Sequence, residues 1–242
     1  MLAWQGLAHR YAGGAEIAYA DFALPPRRHL LLRGASGSGK STLLALLAGL
    51  LRVQQGTLSV AGTALPGLGP RALDAWRGAT LGVVPQRLHL SDALTVAGNL
   101  ALPALAAGQG AHAAQAARAA ELLAALDIAD LAGRRPHQLS VGQAQRVALA
   151  RALMRKPRLL LADEPSASLD DEHTLHMLAL LLDAAEREGC TLVIASHDAR
   201  VVEALGARDD VVQLSLRGRD GGGGPGGAPG ERTTAWSTGS LS

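Results

Sequence analysis

With 242 residues, 48% of them hydrophobic and 18% charged, the chain has apolar content for one large α/β domain or two small ones, which excludes disorder throughout. Its 23 basic and 21 acidic residues leave a formal net charge of +2, so no strongly basic stripe is available for nucleic acid and any phosphate binding must be local. Cys190 stands alone, which excludes an intrachain disulfide and a cysteine-built zinc site and suits a reducing compartment.

The opening residues Met1–Gly6 lack the basic-then-apolar pattern and the small-residue cleavage site of a signal peptide. Strand-like runs follow at Leu2–Leu7, Glu16–Leu24 and Leu30–Arg33, and then an apolar helical pattern over Ser41–Leu51. That apolar stretch is interrupted by Gly49 and falls well short of the roughly 20 residues of a bilayer span, so the chain is not expected to cross a membrane itself. Further strands are predicted at Thr57–Ala61, Leu81–Val84, Arg158–Ala162, Thr191–Ser196 and Asp210–Leu216, several of them continuous apolar runs of the kind buried on both faces of a parallel sheet. Between Leu88 and Lys156 the pattern turns helical, with Ala111–Leu126 and Val141–Met154 the clearest elements, and residues 88–156 read as a helical subdomain inserted into the sheet domain. The fold class is therefore α/β, with a largely parallel sheet and the helical insertion. Residues 1–216 form the expected domain, and the Gly/Pro/Ser/Thr-rich residues 217–242 are predicted to be a disordered tail.

Two motifs carry chemistry. Gly34-Ala35-Ser36-Gly37-Ser38-Gly39-Lys40-Ser41, followed by Thr42, has the form G-x-x-x-x-G-K-[ST] and lies between a predicted strand and a predicted helix, the context that supports such a match. Its glycines let backbone N–H groups point inward around phosphate oxygens, and the helix N-terminus adds favourable partial charge. Lys40 is placed to bridge β- and γ-phosphates and Ser41 to put its hydroxyl on Mg²⁺. Downstream, the apolar run Leu159–Ala162 ends in Asp163 and Glu164. Asp163 is the expected Mg²⁺ partner of a phosphate loop, and Glu164, facing another way if the strand alternation continues, is the expected general base; the bland alternative is a solvated carboxylate cluster at a strand end.

Leu139-Ser140-Val141-Gly142-Gln143, leading into an amphipathic helix, offers a second helix N-terminus to an anion. This segment resembles the LSGGQ signature of ATP-binding cassette ATPases, and the remaining markers of that family then occur in order from about Met1 to Leu216. The resemblance implies a phosphate-loop core with a mixed, largely parallel sheet and an N-terminal antiparallel β portion. It also implies ATP and Mg²⁺ as cofactors and two copies closed head to tail on two nucleotides, with Ser140, Gly142 and Gln143 of one copy touching the nucleotide held by Lys40 of the other. Val141 departs from the usual glycine. Carried over residue by residue, Gln86 senses Mg²⁺ and the attacking water, Asp170 contacts the opposite cassette from the Ser168-Leu169-Asp170 loop, His197 is the switch histidine on the γ-phosphate, and Tyr11 stacks on adenine. Each also has a plain reading: a polar strand terminator for Gln86, a helix N-cap for Asp170, a surface strand-end residue for His197 and for Tyr11.

The catalytic set implied is Glu164, His197, Gln86 and Lys40, acting as an ATPase. With no membrane span of its own, the chain is expected to work with separate transmembrane permease subunits, docked beside Gln86 and Arg87–Leu100, and to lie in the cytoplasm, peripheral on the inner face of the cell membrane. No nucleic acid partner is expected. Leu100–Gly108 and Leu161–Pro165 are similar to the lipoprotein-release and macrolide-export subgroup. The alternatives are an importer ATPase for a small solute, a non-transport ATPase of the same superfamily, and a non-hydrolysing binding module.

Overall fold

The computed structural model describes residues 2–106, 108, 113–167 and 169–216; the tail predicted for 217–242 and Ser168 lie outside these. Among the described residues, ten strands fall into two sheets. The first is antiparallel: β1 (Leu2–His9) pairs with β2 (Ile17–Ala18), β3 (Phe22–Ala23) and β5 (Gln55–Val60), and β5 pairs with β6 (Thr63–Ala64). The second is parallel throughout, in the order β10 (Val211–Ser215), β4 (His29–Arg33), β9 (Thr191–Ser196), β8 (Leu159–Asp163), β7 (Leu81–Val84). The expected α/β architecture thus has its antiparallel and parallel strands in separate sheets.

The continuous apolar runs have a two-sided burial. Leu31, Leu160, Ala162, Leu192 and Ile194 pack into one core, with residues of helices α3 (Val96–Ala106), α4 (Ala113–Ala125), α5 (Val141–Leu153), α6 (Asp171–Glu188) and α7 (Ala199–Gly206). Their neighbours Leu30, Leu32, Leu159, Leu161, Val193 and Ala195 face the other core, shared with α1 (Lys40–Leu47) and the antiparallel sheet. Period-two alternation puts successive side chains on opposite faces, so both must be apolar. Helix α1 buries Leu43, Leu44, Leu46 and Leu47 in that second core, each worth about 1.5–3 kcal/mol relative to exposure. Its start is therefore fixed by packing on both sides.

Several expected boundaries change. Helix α1 ends at Leu47, not Leu51, because Gly49 adopts φ 62° just past the Ala48 cap and turns the chain. The single strand expected over Glu16–Leu24 is two short ones, because β1 is irregular between Gln5 and Ala8 and Asp21 Oδ1 accepts the Gly6 amide at 2.7 Å instead of extending the ladder. Within the predicted Ala111–Leu126 helix, α4 covers Ala113–Ala125. Helix α2 (Pro70–Thr80), together with α6 and α7, adds to the elements predicted from sequence.

Candidate functional site

The parallel register brings the predicted residues to one edge. Val84 pairs with Ala162, Asp163 with Ala195, and Ser196 with Arg33. The segments just beyond β4, β7, β8 and β9 therefore emerge side by side at the carboxyl ends of the strands, where open α/β sheets bind ligands. They carry Gly34, Gln86, Glu164 and His197.

Between β4 and α1 the chain forms a loop closed by the hydrogen bond from the Ser38 amide to the Ala35 carbonyl, 3.2 Å. Gly39 has φ 95°, and a Cβ there would lie 2.9 Å from Ile17 Cγ2 and 3.2 Å from Tyr19 Oη. At Gly34 a Cβ would lie 2.6 Å from Ser38 Oγ and 2.5 Å from the Leu216 carbonyl. Both positions admit only glycine without rearrangement. The Tyr19 hydroxyl donates to the Gly39 carbonyl at 3.0 Å and braces the loop from below, and burial pushes that phenol's pKa up. No side chain caps α1, and Ser38 Oγ is buried without a partner. Ala35, Ser36 and Gly37 are more open. A glycine-built cradle, an uncapped helix start and an orphaned hydroxyl together fit an anion such as phosphate.

Lys40 is buried, 6% exposed, and its Nζ donates to the carbonyls of Gly34 at 2.8 Å and Ala35 at 3.2 Å. It also lies 3.6 Å from Glu164 Oε1. Glu164 is not on the strand as the alternation argument assumed: β8 ends at Asp163, and Glu164 has φ 47°, with its amide donating to the Ala195 carbonyl at 2.9 Å. That left-handed turn, not the pleat, separates the two carboxylates. Glu164 Oε1 lies 2.7 Å from His197 Nδ1, and Oε2 accepts from Ser196 Oγ at 3.1 Å. An ionised carboxylate can only accept, so in this pair Nδ1 carries the proton and Nε2 is the free ring nitrogen.

Asp163 is half-buried, and its Oδ1 has no hydrogen-bond partner. Burial raises its pKa above the usual carboxylate range; the Ser41 hydroxyl and the Lys40 charge oppose this and Glu164 adds to it. An unpartnered buried carboxylate oxygen beside a hydroxyl suits a hard cation such as Mg²⁺. Tyr11 is 47% exposed, and its hydroxyl is 3.2 Å from Thr42 Oγ1, which places the ring against the first turn of α1. Gln86 is exposed two residues past β7.

Ser140, Gly142, Gln143 and Asp170 are not drawn into this cluster. Ser140 caps α5: its Oγ accepts the Gln143 amide at 3.3 Å, while Gln143 Oε1 accepts the Ser140 amide at 3.0 Å. Asp170 caps α6, accepting from the His173 amide at 2.9 Å and lying 2.7 Å from His173 Nδ1. His173 in turn flanks Gly142, where a Cβ would lie 3.9 Å from its Cδ2. Sequence reasoning passed over Ser196, Ser166, Asp198 and Arg200, which stand behind the Glu164–His197 pair, and Gln145, buried under the site with Nε2 on the Pro165 carbonyl at 3.3 Å. Asp198 was discoverable as an N-cap residue directly preceding an amphipathic run; the others carry no sequence signal.

The chain is similar to known proteins in sequence and in fold. A family model described as ABC transporter matches residues 18–167. The macrolide export ATP-binding/permease protein MacB of Rhodopseudomonas palustris is 41% identical over 216 residues, covering 86% of this chain but 33% of its own length. LolD 1 of Caulobacter vibrioides, a lipoprotein-releasing system ATP-binding protein, is 43% identical over 175 residues, 72% of this chain and 75% of its own. Methionine import ATP-binding proteins named MetN match at 40% and 41% identity. Among solved structures, the dimeric bacterial ABC transporter cassette MJ0796 superposes with a TM-score of 0.76 at 28% identity, over 91% of this chain and 97% of its own, and it is also known as a dimer in a post-hydrolysis state with ADP and Pi. The chain belongs to the ABC transporter family, as an ATPase cassette.

Proposed function

We propose that this chain is the ATP-hydrolysing subunit of an export- or extrusion-type transporter, closing head to tail with a second copy on two molecules of ATP to drive separate permease subunits. The observation that carries the hydrolytic reading is the Glu164 carboxylate, held 2.7 Å from His197 Nδ1 and 3.6 Å from Lys40 Nζ at the mouth of the phosphate loop. The LolD and MacB relatives support the export reading.

On ATP binding, Lys40 exchanges the Gly34 and Ala35 carbonyls for β- and γ-phosphate oxygens, while the α1 amides and Ser38 hydroxyl take up the remaining oxygens. Thr42 and Tyr11 flank the nucleotide on the outer side of α1. Asp163, Ser41 and Gln86 are the residues that would hold Mg²⁺, which when bound supplies positive charge against the transferring phosphoryl. Glu164 accepts the proton of the attacking water, worth about 10²–10⁴-fold for a positioned base. To meet the γ-phosphate, whose oxygens only accept, His197 must present a ring N–H there: Nε2–H of the imidazolium while Nδ1–H stays on Glu164, or of the other tautomer once Nδ1 leaves Glu164. Ser140, Gly142, Gln143 and Asp170 act on the nucleotide of the second copy.

The permease docks beside Gln86 and Arg87–Leu100; the groove of about 670 Å³ between α2, β7, α3 and α5, which exposes Leu50 and Val83 beside Arg77, Arg151 and Arg155, extends the apolar surface on offer. No helix among the described residues is long and apolar enough to cross a membrane. Membrane association at the cytoplasmic face would therefore come through the permease.

Steady-state hydrolysis by the full chain tests the assignment. Glu164→Gln is expected to lose at least about 100-fold in turnover, to keep MgATP affinity by calorimetry, and to accumulate as a dimer in sedimentation. Undiminished turnover would remove Glu164 from the reaction. Co-purification from native membranes tests the load: a partner with few membrane spans and a large extracytoplasmic domain is expected, and a compact permease with a solute-binding protein would mean import.

A further inference from the structure

Behind the Glu164–His197 pair runs a set of contacts that the proposed hydrolysis does not use. Ser196 Oγ donates to Glu164 Oε2 at 3.1 Å and accepts the Asp198 amide at 3.1 Å. Asp198 caps α7, accepting the Arg200 amide at 3.0 Å, and its Oδ2 accepts from the buried Ser166 Oγ at 2.9 Å. The Arg200 guanidinium then divides between two segments. One edge lies on Asp198, Nε at 3.0 and 3.2 Å from the two carboxylate oxygens and Nη2 at 2.7 Å from Oδ2. The other edge reaches the opposite way, Nη1 donating to the Leu169 carbonyl at 3.2 Å and to Asp171 Oδ1 at 2.7 Å. Leu169 and Asp171 bracket Asp170.

A planar guanidinium with donors on separate edges can hold both segments at a fixed spacing, which a lysine ammonium, a single point of charge, cannot. The Arg200 side chain is 34% exposed and Asp198 16%, so the Asp198 edge is the better shielded; Asp171 is 88% exposed. Consistent with a close pair, Arg200 together with Ser166 holds the Asp198 carboxyl well below the usual range, at about 2.

We propose that Arg200 is a positioning residue for hydrolysis: it clamps Leu169 and Asp171 to the His197 turn, so that displacement of Asp170 by a second cassette reaches Glu164 through Asp198 and Ser196. The proposal rests on the reading of Glu164 and His197 as the hydrolytic pair and of Asp170 as facing the second copy. None of the clamp's hydrogen bonds involves the phosphate loop, so it acts on turnover and not on nucleotide affinity.

The test is ATP hydrolysis and MgATP binding by the full chain carrying Arg200→Ala, Arg200→Lys, Asp171→Asn, and Arg200→Ala with Asp171→Asn. Arg200→Ala is expected to lower kcat about tenfold, as a small misplacement of reacting groups does, with KM and the MgATP dissociation constant within about twofold. Arg200→Lys recovers less than half of the loss. Asp171→Asn lowers kcat about threefold, and the double variant is no slower than Arg200→Ala, because both act through one contact. Asp171 is so exposed that its variant keeps the test open if Arg200→Ala does not fold. An Arg200→Ala kcat within twofold of the unsubstituted chain, a parallel loss of nucleotide affinity, full rescue by lysine, or additive losses in the double variant would each overturn the clamp. Turnover lost in Glu164→Gln but untouched in Arg200→Ala sinks the clamp alone; turnover untouched in Glu164→Gln, or absent from the unsubstituted chain, sinks the hydrolytic reading beneath it.

Discussion

Helices α1 and α5 carry the two segments proposed to face the nucleotide, and they begin in opposite conditions. At the start of α1 no side chain caps the helix, Gly39 is left-handed, and Ser38 Oγ is buried without a partner. At the start of α5, Ser140 and Gln143 satisfy each other's amides in a reciprocal box, with Val141 56% exposed beside them. A bare helix end leaves amides unsatisfied at a cost, and α1 tolerates it because Leu43, Leu46 and Leu47 are wholly buried one turn later. On the proposed reading, the single chain presents one half of a nucleotide site open to phosphate and the other half closed on itself. That asymmetry suits the proposed head-to-tail arrangement, in which ATP would settle first on its own loop and the signature would complete the site when the second copy arrives.

The comparison breaks most sharply at Lys40. Lys40→Ala removes the buried cation of the bare end, and charge-assisted hydrogen bonds of this kind are worth about 1.5–3 kcal/mol, so MgATP affinity is expected to fall about 10- to 100-fold by calorimetry. Affinity that does not move would mean that α1 is not the phosphate site.

Ser140→Ala acts at the closed end and in the opposite sense. Loss of an N-cap hydroxyl costs about 1 kcal/mol, which lowers Tm by about 2–4 °C in a domain of this size. MgATP affinity of the single chain stays unchanged, while ATP-driven dimer formation by the Glu164→Gln chain weakens, read by sedimentation. If Ser140→Ala lowers the affinity of the monomer as Lys40→Ala does, the two helix starts serve one nucleotide within one chain and the head-to-tail reading fails.

The bare end is legible in the sequence because its chemistry is backbone chemistry. Three glycines and two serines between an apolar strand and a lysine can only be a turn, and the two-faced runs at Leu30–Leu32, Leu159–Ala162 and Leu192–Ala195 state their sheet plainly. The closed end is half legible: Ser140 reads as a cap, but its reciprocal bond with Gln143 requires the side chains to be seen. The turn at Glu164 is invisible to strand periodicity, since nothing in Leu159–Asp163 announces a left-handed residue next. Helix α2 buries only Trp76 and Thr80, so few core positions mark it in the sequence. Helix α6 is different: Met177, Leu178, Leu181, Ala184 and Ala185 repeat at helical spacing, and reading Asp170–Glu172 only as a cap stopped one step short of it. Arg200 is beyond any single-sequence argument, because its partners Leu169 and Asp171 lie some 30 residues away in the chain.

Between bare and hydroxyl-capped starts stand α6 and α7, capped by carboxylates, and they supply the smallest and most discriminating test. Arg200, first, and Ser166 hold the Asp198 pKa at about 2, below its ordinary 3.8. A folded-state pKa below the unfolded one means that the unfolded chain binds the proton first as pH falls. The cap's contribution is therefore whole above about pH 4 and is lost between there and about pH 2. The Tm gap between the unsubstituted chain and Asp198→Asn should accordingly close by about 2 °C across that window, the scale of a partly exposed ion pair. Ser140 has no proton to gain, so the gap opened by Ser140→Ala should stay level over the same range. Parallel behaviour of the two gaps would show that the Asp198 cap works through its hydrogen bonds alone and that the charge of Arg200 adds nothing to the stability of the His197 turn.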